Sequence, residues 1–335
     1  QVLSSAALRR CMSSLCFRAA DSLLLRAPAL HPLPRASALP LNQVALSGHG
    51  LPRRSRVAVA RAKTLTLFSI ISSRMATSGS LPFDPTSGSL DTKRHFPVDR
   101  SRMADVSKVP DGLTPAVLIS CGSFSPPTIM HLRIFETARD YFRSMQQVHK
   151  IEIVGGFLSP VHDKYGKSSL VPAADRVAMC QAALETSDWV VTDEWESKQD
   201  EWTRTRLVLD RFHQELNKDP ALNGGRSVRV LLLCGADILD SMSTPGVWVE
   251  SDLRQILSYG TACIKRSGSD PEGLIFSTDV LYEYQHSIFL IRDPIENQIS
   301  STAVRRAIKR NQSIKYLVTD SVEKYIKQRK LWLPK

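Results

Sequence analysis

None of the six cysteines (Cys11, Cys16, Cys121, Cys180, Cys234, Cys263) forms a CxxC pair or a metal-ligand spacing, which removes the common zinc modules. The glycine turn at Gly122 is followed by no Walker A G-K-[ST], and it is neither a dinucleotide-binding G-x-G-x-x-G nor a G-x-S-x-G nucleophile elbow. No Ser-His-Asp set is legible, so a protein nucleophile is not indicated. Long apolar runs are missing as well: near the start the longest is Leu65–Ile71, broken by Thr66 and Ser69, far short of a membrane span. Acidic residues are nearly absent from residues 1–74, which hold eleven Lys/Arg against Asp21 alone, a net of +10. The formal charge of the whole is +11, so residues 75–335 carry only +1. A basic nucleic-acid-binding surface is therefore not expected of the part that folds.

What the 335 residues do contain falls into two stretches. Residues 1–111 form the expected disordered leader and linker. The first 74 are rich in Ser, Ala, Leu and Arg, the composition of an organelle transit peptide. The chain begins with Gln1, so the alternative is upstream sequence before a start at Met75 or Met103; both readings stand. Ser78–Asp111 is polar and reads as a flexible lead-in, with no stable fold expected before about residue 112. The cysteines from Cys121 onward lie in apolar surroundings and are expected buried and reduced. That fits cytoplasm or nucleus, with mitochondrion or plastid as the alternative if the leader is a transit peptide.

Beyond Pro115 strands alternate with helices, the pattern of a parallel α/β sheet. Strands are predicted at Ala116–Ile119, Lys150–Val154, Trp189–Thr192, Val228–Cys234, Thr261–Lys265 and Ser287–Ile291. Helices are predicted from Thr128, over Ala173–Thr186, Thr203–Leu216 and Leu253–Tyr259, and at the end over Ser301–Arg310 and Asp320–Lys330. Ligands of such sheets bind beyond the carboxyl ends of the strands. Three strands end in small residues there: Gly122-Ser123, Gly155-Gly156 and Gly235-Ala236-Asp237.

The first of these is the richest. After Gly122, Pro126-Pro127 stops the strand, Thr128 can cap a helix, and His131 falls in its first turn beside unpartnered backbone N–H groups. Strand, glycine turn, helix start and imidazole make a place for phosphate, although a histidine there also serves as an ordinary cap. A second anchor is Ile299–Arg306, where Ser300 or Ser301 can cap a helix and Arg305 projects from its first turns. Between them lie Lys167 on a Gly/Ser loop, Trp202, Trp248 and Asp237, none decisive alone.

Together these stretches resemble one family: the eukaryotic nicotinamide/nicotinate mononucleotide adenylyltransferases, in the nucleotidylyltransferase superfamily. The resemblance rests on GSFSPPTxMHLRxFExARD, WExxQxEWxRT, LLCGAD, TPGVW, NQISSTxxRRAI and SIKYLV, and runs from about Ala116 to Trp332. It implies a Rossmann-like open parallel sheet flanked by helices with a C-terminal helical segment. It also implies adenylyl transfer from ATP to nicotinamide or nicotinate mononucleotide, giving NAD or deamido-NAD and pyrophosphate. Gly122, Ser123 and Phe124 would underlie the nucleotides, and His131 would bind the ATP phosphates. Lys167 would contact phosphate. Trp202 and Trp248 would sandwich the pyridine ring, with Thr205 on its amide or carboxylate. Gly235 and Asp237 would hold the adenosine ribose. Asn297, Ser301, Thr302 and Arg305 would form the second ATP segment, and His131, Lys167 and Arg305 the catalytic set.

Mg²⁺ would ride on the ATP phosphates rather than on protein side chains, and neither nucleic acid nor membrane would be a partner. Homo-oligomerisation stays open. Met130 stands where the bacterial-type pattern has glycine, as it does in the eukaryotic branch. Asn217–Ser227 stands where some members carry a long insert with a basic nuclear signal. The alternatives to this reading are another nucleotidylyltransferase, with cytidine or pantetheine substrates, and a basic nucleic-acid-binding protein.

Overall fold

Four consecutive apolar residues, Ala116, Val117, Leu118 and Ile119, are wholly buried in the strand β1 (Thr114–Gly122). Such a run suits only a strand covered on both faces, and β1 lies in the middle of the sheet. The computed structural model describes residues 96–333, apart from 168–169, 267 and 296. In it six strands pair in the order β3-β2-β1-β4-β5-β6, every pair parallel. The others are β2 (Ile151–Pro160), β3 (Val190–Thr192), β4 (Arg229–Gly235), β5 (Thr261–Lys265) and β6 (Ile288–Arg292). The order reverses direction between β1 and β4, which pair from Ala116↔Arg229 to Ile119↔Leu232. That is the crevice where a doubly wound sheet takes its ligand.

The period of two along β1 sorts its side chains into two cores. Val117 and Ile119 face one cluster with α3 (Thr205–Asn217), α4 (Ala236–Met242), α5 (Glu250–Tyr259), α6 (Pro271–Ser277) and α7 (Asp279–Glu283). Ala116 and Leu118 face the other, under α1 (Ile129–Ser144), with Phe135, Ala138 and Phe142, and the end of α2 (Ala173–Ala183). A third cluster joins Met179 and Ala183 of α2 to Val304 and Ile308 of α8 (Ser301–Lys309) and Val322 and Ile326 of α9 (Asp320–Gln328). It holds the C-terminal helices against the body of the sheet domain, and so positions α8.

Three expectations need correction. The second strand does not stop at Gly155-Gly156 but runs on through Pro160, so no ligand turn lies there. Those glycines are packing residues. A Cβ on Gly155 would stand 2.8 Å from Met103 Cγ, and one on Gly156 2.9 Å from Phe135 Cδ1, one neighbour on each face. Second, ordered packing begins ahead of residue 112. Val98, Val106 and Val109 enter the first core. Arg100 donates to the Leu216 carbonyl at 2.6 Å and Arg102 to that of Val190 at 3.0 Å. The polar lead-in is thus a strap whose arginines satisfy carbonyls of the domain, a use that composition does not reveal. Residues 1–95 of the expected leader, with Cys11, Cys16 and Met75, lie outside the described residues. Third, Cys121 is only partly buried, whereas Cys180, Cys234 and Cys263 are buried; all four are free thiols. Among the described residues no helix is long and apolar enough to cross a membrane.

Candidate active site

At the end of β1 the chain turns through Phe124, whose φ of +38° is left-handed although it carries a side chain. That conformation folds the Phe124 ring back into the core, 2% exposed, edge-on to His131 with centroids 5.2 Å apart. Thr128 then caps α1 with extended dihedrals, and His131 occupies the first turn as expected. Its Nδ1 accepts the Thr128 backbone N–H at 2.9 Å and lies 2.8 Å from the Thr128 hydroxyl. A nitrogen that accepts an N–H carries no proton, so the neutral ring bears its proton on Nε2 and offers it outward. Burial, then the charge of Arg266, and lastly that of Lys167 push the imidazole down to about 4, against the pull of Asp237. His131 is therefore neutral at physiological pH, a hydrogen-bond donor rather than a cation.

The start of α1 is less open than the sequence suggests. The Ile129 N–H is taken by the carbonyl of Leu317, 3.1 Å away in the loop between α8 and α9. SIKYLV therefore supplies a cap to a helix far earlier in the chain.

The second anchor docks directly on the first. Ser300 caps α8 by accepting the Ala303 N–H at 3.2 Å. Ser301 Oγ donates to the Pro126 carbonyl at 2.8 Å, and Arg305 Nη1 to that of Ser125 at 2.7 Å. Arg305 also donates to Thr302 Oγ1 at 3.2 Å and is 9% exposed. Asn297 turns its Oδ1 to the Ile299 N–H at 2.8 Å, shaping the approach to the helix. The two halves that sequence set apart are one construction.

Gly235 ends β4 and caps α4, with Asp237 in the first turn. A Cβ on Gly235 would stand 2.7 Å from Asp237 Oδ1, so glycine is what lets that carboxylate sit there. Asp237 lies 3.7 Å from Arg266, just beyond β5. Lys167 stands on the loop between β2 and α2, reaching solvent while neighbouring protein atoms strip part of the water from its ammonium. Burial first and then the charge of Arg305 lower its affinity for a proton, while Asp237 opposes them. His131, Lys167, Asp237, Arg266 and Arg305 are thus linked by mutual electrostatic influence. Arg266 escaped the sequence reading. Its position directly after a strand's carboxyl end was the available signal.

The two tryptophans differ. Trp248 is half-buried, its Nε1 donating to Ser241 Oγ at 3.0 Å. Trp202 is 39% exposed, with its ring 6.2 Å from that of Tyr165. Thr205 opens α3, just after Arg204, which pairs with Asp252 at 3.0 Å. Among the described residues no group of three or more His, Cys, Asp or Glu side chains gathers to hold a metal ion. The converging donors are those for anions, an imidazole N–H with lysine and arginine. They suit a phosphate-bearing ligand.

Residues 119–307 match the family described as cytidylyltransferase-like. A nicotinamide/nicotinic acid mononucleotide adenylyltransferase of Oryza sativa subsp. japonica is 46% identical over 218 residues, 65% of this chain and 86% of that protein. One of Bos taurus is 42% identical over 254 residues, covering 65% of this chain and 89% of its own. Another, from Saccharomyces cerevisiae, is 42% identical over 247 residues; the match takes in 71% of this chain and 60% of the yeast protein. The solved structure of Plasmodium falciparum nicotinic acid mononucleotide adenylyltransferase complexed with NaAD aligns at 19% identity and a TM-score of 0.47, over 65% of this chain and 97% of that one. By the family match over residues 119–307 and relatives at this level of identity, the chain belongs to the cytidylyltransferase-like family, among the nicotinamide/nicotinic acid mononucleotide adenylyltransferases.

Proposed function

We propose that this protein joins ATP and nicotinamide or nicotinate mononucleotide into the dinucleotide, releasing pyrophosphate. A 5′-phosphate oxygen of the mononucleotide attacks the α-phosphorus of ATP in line, and the bond from that phosphorus to the β-phosphate bridging oxygen breaks. The nucleophile comes with the substrate, so the residues need only align two phosphates and stabilise charge. The observation that carries this reading is the docking of Ser301 and Arg305 onto the Ser125 and Pro126 carbonyls. It places a positive charge and a helix start against the glycine turn at the β1–β4 crevice.

In this arrangement neutral His131 donates from Nε2 to a phosphate oxygen without bringing a charge that the mononucleotide phosphate would neutralise unproductively. Lys167, Arg266 and Arg305 offset the negative charge that builds on the leaving pyrophosphate. Asp237 takes ribose hydroxyls, and Trp202 and Trp248 hold the pyridine ring, with Thr205 on its substituent. A divalent cation, when bound on the phosphates, would further neutralise their charge. The test is to incubate the full chain with ATP, Mg²⁺ and each mononucleotide, following dinucleotide and pyrophosphate together. Stoichiometric appearance of both supports the reading, and formation of neither with either mononucleotide overturns it.

A further inference from the structure

Arg176, in the first turns of α2, is wholly buried, with an exposure of 0%. A guanidinium withdrawn from water is tolerated only where its N–H groups are matched. Its acceptors here are not scattered. Nη2 pairs with Asp163 Oδ1 at 2.8 Å, and Nε donates to the Val171 carbonyl at 3.0 Å. Nη1 donates to the Ser123 carbonyl at 3.3 Å. Asp163 and Val171 are where the loop that carries Lys167 enters and leaves. Ser123 belongs to the glycine turn at the end of β1.

The same turn is also held by Arg305 at Ser125 and Ser301 at Pro126. The turn is therefore gripped twice, once by α8 and once by α2. The α2 grip alone also closes the base of the Lys167 loop. Packing does not require this arrangement, since an apolar side chain would fill the space without the cost of burying a charge. Arginine does what neither lysine nor an apolar residue can: its planar fork reaches three acceptors at fixed angles.

We infer that Arg176, with Asp163 as its outer partner, is a positioning residue that sets Lys167 against the Ser123 turn, and so against the phosphates of ATP. The inference rests on the proposed contact of Lys167 with phosphate. Arg176 touches no substrate. It acts through the lysine.

The pair can be probed from its exposed end, because the Asp163 side chain is 51% exposed and asparagine there keeps an oxygen for Nη2 to donate to. The full chain is compared as wild type, D163N, R176K, K167A and the double variant D163N/K167A, with kcat and KM for each substrate and the thermal midpoint. D163N is expected to lower the midpoint, because a buried guanidinium loses its counter-charge, and to lower kcat/KM for ATP by roughly tenfold, with KM for the mononucleotide unchanged. R176K should lose at least as much, because an ammonium cannot serve three acceptors in a plane. In the K167A background D163N should have no further effect, since there is no lysine left to misplace. A D163N loss of the same factor with and without Lys167 overturns the clasp while leaving the lysine's own role intact. So does a fall in midpoint with no change in kcat/KM. Wild-type kcat/KM in K167A overturns the phosphate contact and the clasp together.

Discussion

Arg305 donates from Nη1 to the carbonyl of Ser125 at 2.7 Å, joining residues 180 positions apart in the chain. This contact makes the phosphate-facing turn and the first turns of α8 a single body. Nη2 is engaged as well, donating to Thr302 Oγ1 at 3.2 Å within α8.

Replacing Arg305 should therefore injure fold and activity together. In Arg305→Ala the Ser125 carbonyl loses its partner while buried, which costs about 1–3 kcal/mol. Turnover should fall about a hundredfold or more, the scale of a lost charge-stabilising donor. Ser301→Ala removes only the bond to Pro126, and about 1 kcal/mol of stability is expected to go with it, without a comparable loss of turnover. Urea titrations beside steady-state rates separate the two. Equal loss of turnover in both variants would argue against a phosphate role for Arg305.

His131 gives a pH prediction with a definite sign. Its folded value is depressed to about 4, so the neutral, Nε2-donating form persists well below pH 6.5. Turnover governed by His131 should hold from pH 8 to about 5 and decline only towards 4. Protonation of Nδ1 would also break its bond from the Thr128 N–H. The unfolded chain binds the proton more readily, so this stability is complete above about 6.5 and is lost as pH falls towards 4. A rate profile bending near 6.5, or one unchanged by His131→Ala, would contradict the assignment.

Glu196 predicts the opposite slope. It is 2% exposed and accepts from Ser159 Oγ at 2.7 Å. Burial raises its carboxyl to about 8, although the Ser159 hydrogen bond pulls the other way. The folded state keeps a proton that the unfolded chain releases, so stability is present below about 4.5 and declines as pH rises through 8. Glu196→Gln cannot ionise. Its thermal midpoint should resemble wild type near pH 4.5 and exceed it by a growing margin up to pH 9; parallel decline of both proteins would refute a buried neutral acid.

The two glycines of β2 should differ in their tolerance of alanine. At Gly156 the new Cβ meets the Phe135 ring at 2.9 Å and Val190 Cγ2 at 3.0 Å, both held in the core. Gly156→Ala should cost about 1–3 kcal/mol by overpacking. At Gly155 the close neighbour is the Met103 side chain, which is flexible and can swing aside. Chemical denaturation of the pair should rank Gly156→Ala as clearly the more damaging; the reverse order would mean that the strap, not α1, is the rigid face.

Much of the fold was legible because its signals are local. Apolar runs located all six strands, β5 with the same bounds, and caps such as Thr128 and Ser300 marked α1 and α8. The short helices α4, α6 and α7 escaped, being five to seven residues long and too brief to show a helical period. The polar segment from Phe96 read as a linker because arginines bonding to distant carbonyls look the same in sequence as solvated ones.

What the sequence by itself determined, then, was the set of elements and the chemistry at their ends: glycine after a buried strand, a capped helix with His131, and Arg305 beside Thr302. Propensity, periodicity and capping act within a few residues, so they are written in order along the chain. Only the tertiary structure decided that β4 lies beside β1, that Leu317 covers the start of α1, and that His131 is neutral. It also decided that Arg305 and Arg176, from two different helices, grip one turn. Each of those outcomes depends on which distant residues packing brings together, and no local pattern carries that information.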